Sequence, residues 1–132
     1  MINAFGPINT GQASGGAGAA TANNTSTVRL RGKVKAVYVK YNDSCPATTD
    51  VTIATLGTSP SAPAQNILVI TSANTSGWYY PRTQVHGPTG AALTYDGTRT
   101  VNESLTIDDR VKVTVAEADD NCDVDVWIVL EE

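Results

Sequence analysis

The sequence predicts an all-β protein, a two-sheet antiparallel β-sandwich with an extended N-terminal arm, and it favours a jelly roll over an immunoglobulin-like arrangement. Short runs of alternating apolar and polar residues recur along the chain, and turn residues separate them about every 8–12 residues. No segment has the apolar period of an α-helix. Trp78 lacks the spacing from Cys45 and Cys122 that marks immunoglobulin domains.

Residues 1–24 are predicted to form the arm, and residues 25–132 the sandwich domain. The arm has no charged side chain and no strand or helix periodicity. Alone, it buries too little surface to offset its conformational entropy. We therefore expect its apolar anchors to bind a partner, above all a neighbouring subunit; the alternatives are a crystal contact and an arm folded back over its own domain. These anchors are Ile2, Phe5 and Ile8.

The first predicted strands follow from alternation. Residues 26–31 alternate apolar and polar side chains, and Gly32 marks a bulge or tight turn before residues 33–41. A further strand spans residues 50–56. Within residues 33–41, two faces are predicted, one with Val37, Val39 and Tyr41 and the other with Val34, Ala36 and Tyr38.

The later strands are separated by turn residues. A Pro- and Ser-rich segment at 58–64 is predicted as a loop, and the short runs that follow it are bounded by Gly, Pro or Asp. In the last two strands, Val or Ile occupies every second position. These predicted strands span residues 66–71, 77–81, 91–95, 104–107, 110–116 and 123–130.

The composition limits the classes of function. The chain has 132 residues, 41% of them hydrophobic, which is enough for one domain with a core. Its net charge of −4 repels the nucleic-acid backbone, so no nucleic-acid partner is expected. We see no signal peptide and no membrane-spanning stretch, so no membrane partner is expected either. Only 17% of the residues are charged, which suits a surface that lies against another protein.

Few residues are candidates for chemistry. The single histidine, His86, lies in a Gly/Pro turn, so we expect an exposed loop residue and no enzyme. No zinc motif occurs and no cofactor is expected. Asp119, Asp120 and Asp123 form a weak calcium candidate, with an acidic hairpin tip as the alternative.

Cys45 and Cys122 both fall in predicted loops. A disulfide between them would close a loop of about 77 residues and would stabilise the fold by roughly 4 kcal/mol. Two free thiols are the alternative.

One aromatic cluster and one basic stripe are candidate interfaces. Trp78 and Tyr80 face the same way on a predicted strand, with Arg82 beside them. We interpret these three residues as core or subunit-interface anchors, with stacking on sugar rings as the alternative. The basic residues face a solvated surface or an acidic partner, and they are Arg29, Arg31, Lys33, Lys35 and Lys40.

Several segments together resemble the small β-sandwich structural proteins of tailed bacteriophage virions, especially the decoration or cement proteins of the capsid. These segments are KAVYVKYND, TTDVTIATLG, WYYPRTQVHGPTGAALTYDG and DRVKVTVAEADD followed by VDVWIVL. The resemblance implies a non-enzymatic protein on the capsid exterior, assembled in the host cytoplasm. It also implies that the partners are the major capsid protein and neighbouring copies of the chain, with a homotrimer favoured. Another virion part, such as a head–tail connector or tail protein, and a carbohydrate-binding or host-recognition module are the alternatives.

Overall fold

The structure, a computed structural model, describes residues 1–57 and 63–132, so most of the predicted loop at 58–64 lies outside the described residues. Within this part of the chain there is no helix, and hence none that could cross a membrane. The strands are β1 Ile2–Asn9, β2 Ala20–Thr25, β3 Leu30–Tyr41, β4 Asp50–Thr55, β5 Asn66–Ile70, β6 Gly77–Tyr79, β7 Arg82–Gln84, β8 Asn102–Ser104, β9 Thr106–Asp109, β10 Val111–Ala118 and β11 Val124–Glu131.

Two antiparallel sheets enclose the core. The five-stranded sheet has the order β1-β11-β3-β6, with β9 beside the first part of β3, and the four-stranded sheet has the order β2-β10-β4-β5. The first strand lies beside the last, and most successive strands alternate between the sheets. This order is that of a jelly roll, so the predicted all-β sandwich is confirmed.

The N-terminal segment is part of the sandwich. Strand β1 pairs with β11, and β2 pairs with β10, so residues 1–24 supply the first strand of each sheet. The prediction of an arm separate from a domain at 25–132 is therefore wrong, and the alternative of a segment folded back over its own domain is nearer to the structure. The physical reason is that β11 and β10 would otherwise each expose an unpaired backbone edge.

The core is filled mainly by Val and Ile from four strands. In β4, β10 and β11 every second side chain points inward, as predicted. In β3 the prediction is wrong at Val34, which is fully buried together with Val37 and Val39. A register shift between β3 and β11 separates Val34 from Ala36, and this bulge changes which residues face inward.

Gly32 lies within one continuous strand β3, so it marks no tight turn. Its φ is +124°, and a Cβ atom there would lie 2.5 Å from the Glu131 carbonyl oxygen. Only glycine permits this close approach of β3 to the end of β11.

A disulfide joins Cys45 and Cys122. Cys45 follows β3 and Cys122 precedes β11, so the bond connects two loops at one end of the sandwich. Of the two alternatives that the sequence left open, the structure has the bridge.

Residues 82–104 form a projection between β6 and β9. Strands β7 and β8 pair at its base, and the predicted strand at 91–95 is replaced by isolated bridges. Three backbone N–H groups close a ring of hydrogen bonds, from Val85 to the Val101 carbonyl, from Val101 to Leu93 and from Leu93 to Val85, at 2.9, 3.1 and 2.8 Å. This ring holds the projection together without a buried core of its own.

Candidate functional site

Three aromatic side chains form a row across the outer face of the five-stranded sheet. Trp127 on β11 lies opposite Tyr38 on β3, and Tyr38 lies opposite Trp78 on β6. The Tyr38 ring centroid is 5.0 Å from that of Trp78 and 5.8 Å from that of Trp127, and both pairs are tilted by 57°. These distances are those of favourable aromatic pairs. We call these three residues the aromatic row.

The row faces solvent because the neighbouring residues in each strand face the core. Trp78 is 53% exposed and Tyr80 is 63% exposed, whereas Tyr79 between them packs partly against the core. Trp78 and Tyr80 are therefore both surface residues, and neither belongs to the core.

The aromatic row lines an open apolar hollow. Its lining consists almost entirely of carbon surface, contributed by Ala4, Tyr38, Trp78, Trp127 and Val129. Ala4 belongs to β1, where it lies opposite Val129, so the N-terminal strand helps to build the site. Gly6, also on β1, packs closely against Trp127. Its φ is +145°, and a Cβ atom there would lie 2.9 Å from Cδ1 of Trp127, so the position requires glycine.

A second hollow, which we call the basic hollow, lies further along β3 on the same sheet. Its lining residues are Lys33, Lys35, Arg82, Glu103, Ser104 and Thr106. The base of the projection closes it, because Arg82 and Ser104 are paired residues of β7 and β8. The Arg82 guanidinium donates from Nη1 to the carbonyl oxygens of Pro81, at 2.7 Å, and Lys35, at 3.3 Å. These bonds fix its position at the hollow.

Three basic residues near this face form surface ion pairs. Nε of Arg29 and Nε of Arg31 lie 2.6 and 3.3 Å from Oδ1 of Asp108. Nζ of Lys35 lies 3.8 Å from Oε1 of Glu131. Such exposed pairs contribute little to stability.

The three carboxylates predicted as a weak calcium candidate do not converge on one point. Asp119 accepts a hydrogen bond from the Gly18 backbone N–H at 2.9 Å, and Asp120 accepts one from Gly15 at 3.1 Å. Across residues 1–57 and 63–132, no group of three acidic, His or Cys side chains is placed to hold a metal. The acidic turn instead anchors the glycine-rich loop between β1 and β2.

The N-terminal anchors are divided between the core and the surface. Ile8 is 4% exposed and lies opposite Val126, and Phe5 lies opposite Ile128 and packs against the core. Ile2 is 63% exposed. The prediction that all three bind a foreign chain is wrong for Ile8 and Phe5, because inward-facing positions of β11 hold them. His86 is exposed in the projection, as expected.

Sequence reasoning missed Tyr38 and Trp127 as members of the site. Both occupy outward positions of strands whose alternate residues are buried. An aromatic residue at an outward position was the available signal. Their distance from Trp78 in the sequence concealed that the three share one row.

Comparison with known proteins gives no family. No protein-family model matches the chain, and no curated protein matches it. Among solved structures, it is similar to a complex of an Aeromonas sobria serine protease and its chaperone, with 7% identity and a TM-score of 0.46 over 100% of this chain and 27% of that one. It is also similar to the CBM32 of AlyQ in complex with 4,5-unsaturated mannuronic acid, with 9% identity, a TM-score of 0.40 and coverage of 97% and 92%. FlhE is similar at 10% identity, a TM-score of 0.38 and coverage of 99% and 95%.

Proposed function

We propose that this chain is a non-enzymatic virion structural protein, a capsid decoration protein that attaches to the assembled shell through the apolar hollow. The observation that carries this proposal is the exposed aromatic row on the outer face of the five-stranded sheet. Its partners are the major capsid protein and neighbouring copies of the chain, and a trimer is the favoured assembly. Attachment uses the sheet face, because the N-terminal segment is committed to the sandwich.

The chemistry of the hollow favours a protein side chain over a sugar. Nearly all of its lining is carbon. A sugar hydroxyl that leaves water for such a surface loses hydrogen bonds without replacing them. An aliphatic or aromatic side chain has no such penalty and gains from the same burial.

One such contact contributes a modest binding free energy, and many contacts on one shell together make attachment stable. Covering the exposed half of Trp78 removes about 100 Å² of apolar surface from water, which is worth about 2–3 kcal/mol. A ligand that binds only the assembled shell stabilises that shell by mass action, and oligomers that engage several sites at once gain avidity.

The test is cosedimentation of purified protein with capsids of the phage that encodes it. Trp78→Ala should weaken binding by about tenfold to a hundredfold, in line with the loss of about 2 kcal/mol. Tyr95→Ala is the matched control, because Tyr95 is a 75% exposed aromatic residue on the projection. Equal binding of both variants and the unmodified protein would refute attachment through the hollow. Copy number separates a decoration protein, with hundreds per particle, from a connector ring.

A sugar-binding module is the second candidate. The observation in its favour is the exposure and tilt of the Trp78 ring beside Tyr38, an arrangement on which a sugar ring can stack. Titration with oligosaccharides should then quench tryptophan fluorescence, and Trp78→Ala should remove the response. Our proposal predicts no quenching.

A further inference from the structure

The surface beside the apolar hollow has the opposite charge to the chain as a whole. The chain has a net charge of −4. The basic hollow nevertheless presents Lys33, Lys35 and Arg82 against one carboxylate, Glu103. Lys35 is partly neutralised by Glu131. Among the described residues, Lys33 and Arg82 form no ion pair. Lys33 and Arg82 are therefore the two side chains of the hollow that can pair with an acidic ligand.

The donors of the basic hollow suit a carboxylate. Arg82 uses Nη1 for two backbone carbonyls, and its guanidinium carries further N–H donors. The hydroxyl groups of Ser104 and Thr106 lie in the same lining and can donate as well. A guanidinium with neighbouring ammonium and hydroxyl donors binds carboxylates by charge-assisted hydrogen bonds.

The two hollows are close enough for one extended segment to fill both. Tyr38 lines the apolar hollow and Lys35 lines the basic hollow, and both belong to β3. Three residues of strand span about 10 Å. An extended ligand chain has the same rise, and its side chains point to the same side at every second residue, so its apolar and acidic side chains should be two or four residues apart.

From this geometry, and resting on the proposed function, we propose that the partner presents an extended acidic segment. One aromatic or aliphatic side chain of that segment enters the apolar hollow, and a carboxylate two or four residues away binds Lys33 and Arg82. Glu103 in the lining of this hollow, and Glu131 paired with Lys35 beside it, disfavour a polyanion such as a nucleic-acid strand.

Selection from a random peptide library displayed on phage tests this directly. The full-length protein is the bait, and Trp78→Ser is the counter-selection. Peptides retained only by the unmodified protein should carry Asp or Glu two or four positions from an aromatic or aliphatic residue. Apolar peptides without that acidic residue would overturn the inference and leave docking at the hollow intact. Failure to enrich any peptide dependent on Trp78 would overturn both proposals.

Affinity measurements with the most enriched synthetic peptide give the second test. Lys33→Gln combined with Arg82→Gln should weaken binding by at least about tenfold, and replacing the peptide's acidic residues by Gln or Asn should do the same. Lys112→Gln, on β10 of the other sheet, is the matched control and should change binding less than about twofold. Equal losses from the control and the double variant would contradict a specific basic hollow. Tighter binding of a single-stranded oligonucleotide, lost in the double variant, would assign the hollow to nucleic acid instead.

Discussion

Gly32 shows how one residue determines the approach of two strands. Its φ of +124° is available to glycine and strained for other residues, and a Cβ atom would meet the Glu131 backbone at 2.5 Å. We therefore expect Gly32→Ala to lower the free energy of unfolding by about 3 kcal/mol, measured by urea denaturation. Gly16→Ala is the control, because Gly16 has no atom within 4 Å of the added Cβ. It should change stability by less than about 1 kcal/mol. Similar effects at both positions would refute the close approach.

Tyr41 makes the free energy of unfolding depend on pH in the alkaline range. Burial raises its pKa to about 12, with a smaller contribution from Tyr79, and its hydroxyl has no hydrogen-bond partner among the described residues. The folded state thus holds this proton more tightly than the unfolded state, whose tyrosine pKa is about 10. The stability that depends on this proton is complete below about pH 10 and is lost as the pH rises towards 12.

Tyr41→Phe should remove this pH dependence. At about pH 11 the wild-type protein should lose about 1 kcal/mol relative to pH 8 through Tyr41 alone. The variant should lack that component and should be at least as stable near neutral pH, because it buries no unpaired hydroxyl. Urea denaturation of both proteins at the two pH values measures the difference. A Tyr41→Phe variant with the same pH response as the wild type would contradict the assignment.

The aromatic row could be predicted only in part from the sequence. Alternation predicted that Trp78 and Tyr80 share a direction, because side-chain period along one strand is local information, and both residues are exposed. That Tyr38 and Trp127 join Trp78 depends on the pairing of β11, β3 and β6. Pairing register is set by contacts distant in sequence, and the bulge near Lys35 shifts it further.

At the scale of elements, β1 and β2 are the longest strands that the sequence did not predict. Gly, Ala and Asn have low strand propensity, and residues 1–24 have little alternation. Their strand structure comes from the free edges of β11 and β10, together with a few inward side chains such as Ile8. Tertiary context therefore overrides local propensity here, whereas β10 and β11 were predicted because their alternation is strong.

A pair of isoleucines tests whether β1 belongs to the sandwich. Ile8 is 4% exposed and Ile2 is 63% exposed, although both lie on β1. Ile8→Ala should cost about 2–4 kcal/mol of unfolding free energy because it leaves a cavity, and Ile2→Ala should cost less than about 0.5 kcal/mol. Thermal or urea denaturation measures both. Equal, small losses of unfolding free energy in both variants would support a free N-terminal arm instead.

The disulfide provides the second test at this scale. The bond connects the loop after β3 to the turn before β11, 77 residues apart. Replacing both Cys45 and Cys122 with Ala should lower the unfolding free energy by about 4 kcal/mol, mainly because the unfolded chain gains freedom. Mass spectrometry with and without reductant, followed by denaturation, checks the bond and its effect. Two alkylatable thiols in the unreduced protein would contradict the bridge.

At the scale of the whole molecule, the two sheets present different outer faces. The four-stranded sheet exposes mainly small and polar side chains from β4 and β10, such as Thr52, Ala54 and Thr114. The five-stranded sheet carries the aromatic row and the basic hollow. Under the proposed function, the five-stranded sheet would face the shell and the four-stranded sheet would face solvent.

The fold class was accessible from the sequence because strand count and turn spacing are local features. The jelly roll was favoured because Trp78 lacks the immunoglobulin spacing from Cys45 and Cys122, and the strand order itself was not predicted. It depends on β1 beside β11 and β2 beside β10, and these pairs join the two ends of the chain. The sequence carries no local signal for such pairing, and a separate arm was predicted in its place.

Hydroxyl-radical footprinting of the protein, free and bound to capsids, would show whether the aromatic row is the attachment surface. It reports the solvent accessibility of individual aromatic side chains. We expect Trp78, which is 53% exposed in the free chain, to become protected on binding, while Tyr95 on the projection stays reactive. Protection of Tyr95 with Trp78 unchanged would place attachment on the projection and would contradict docking through the aromatic row.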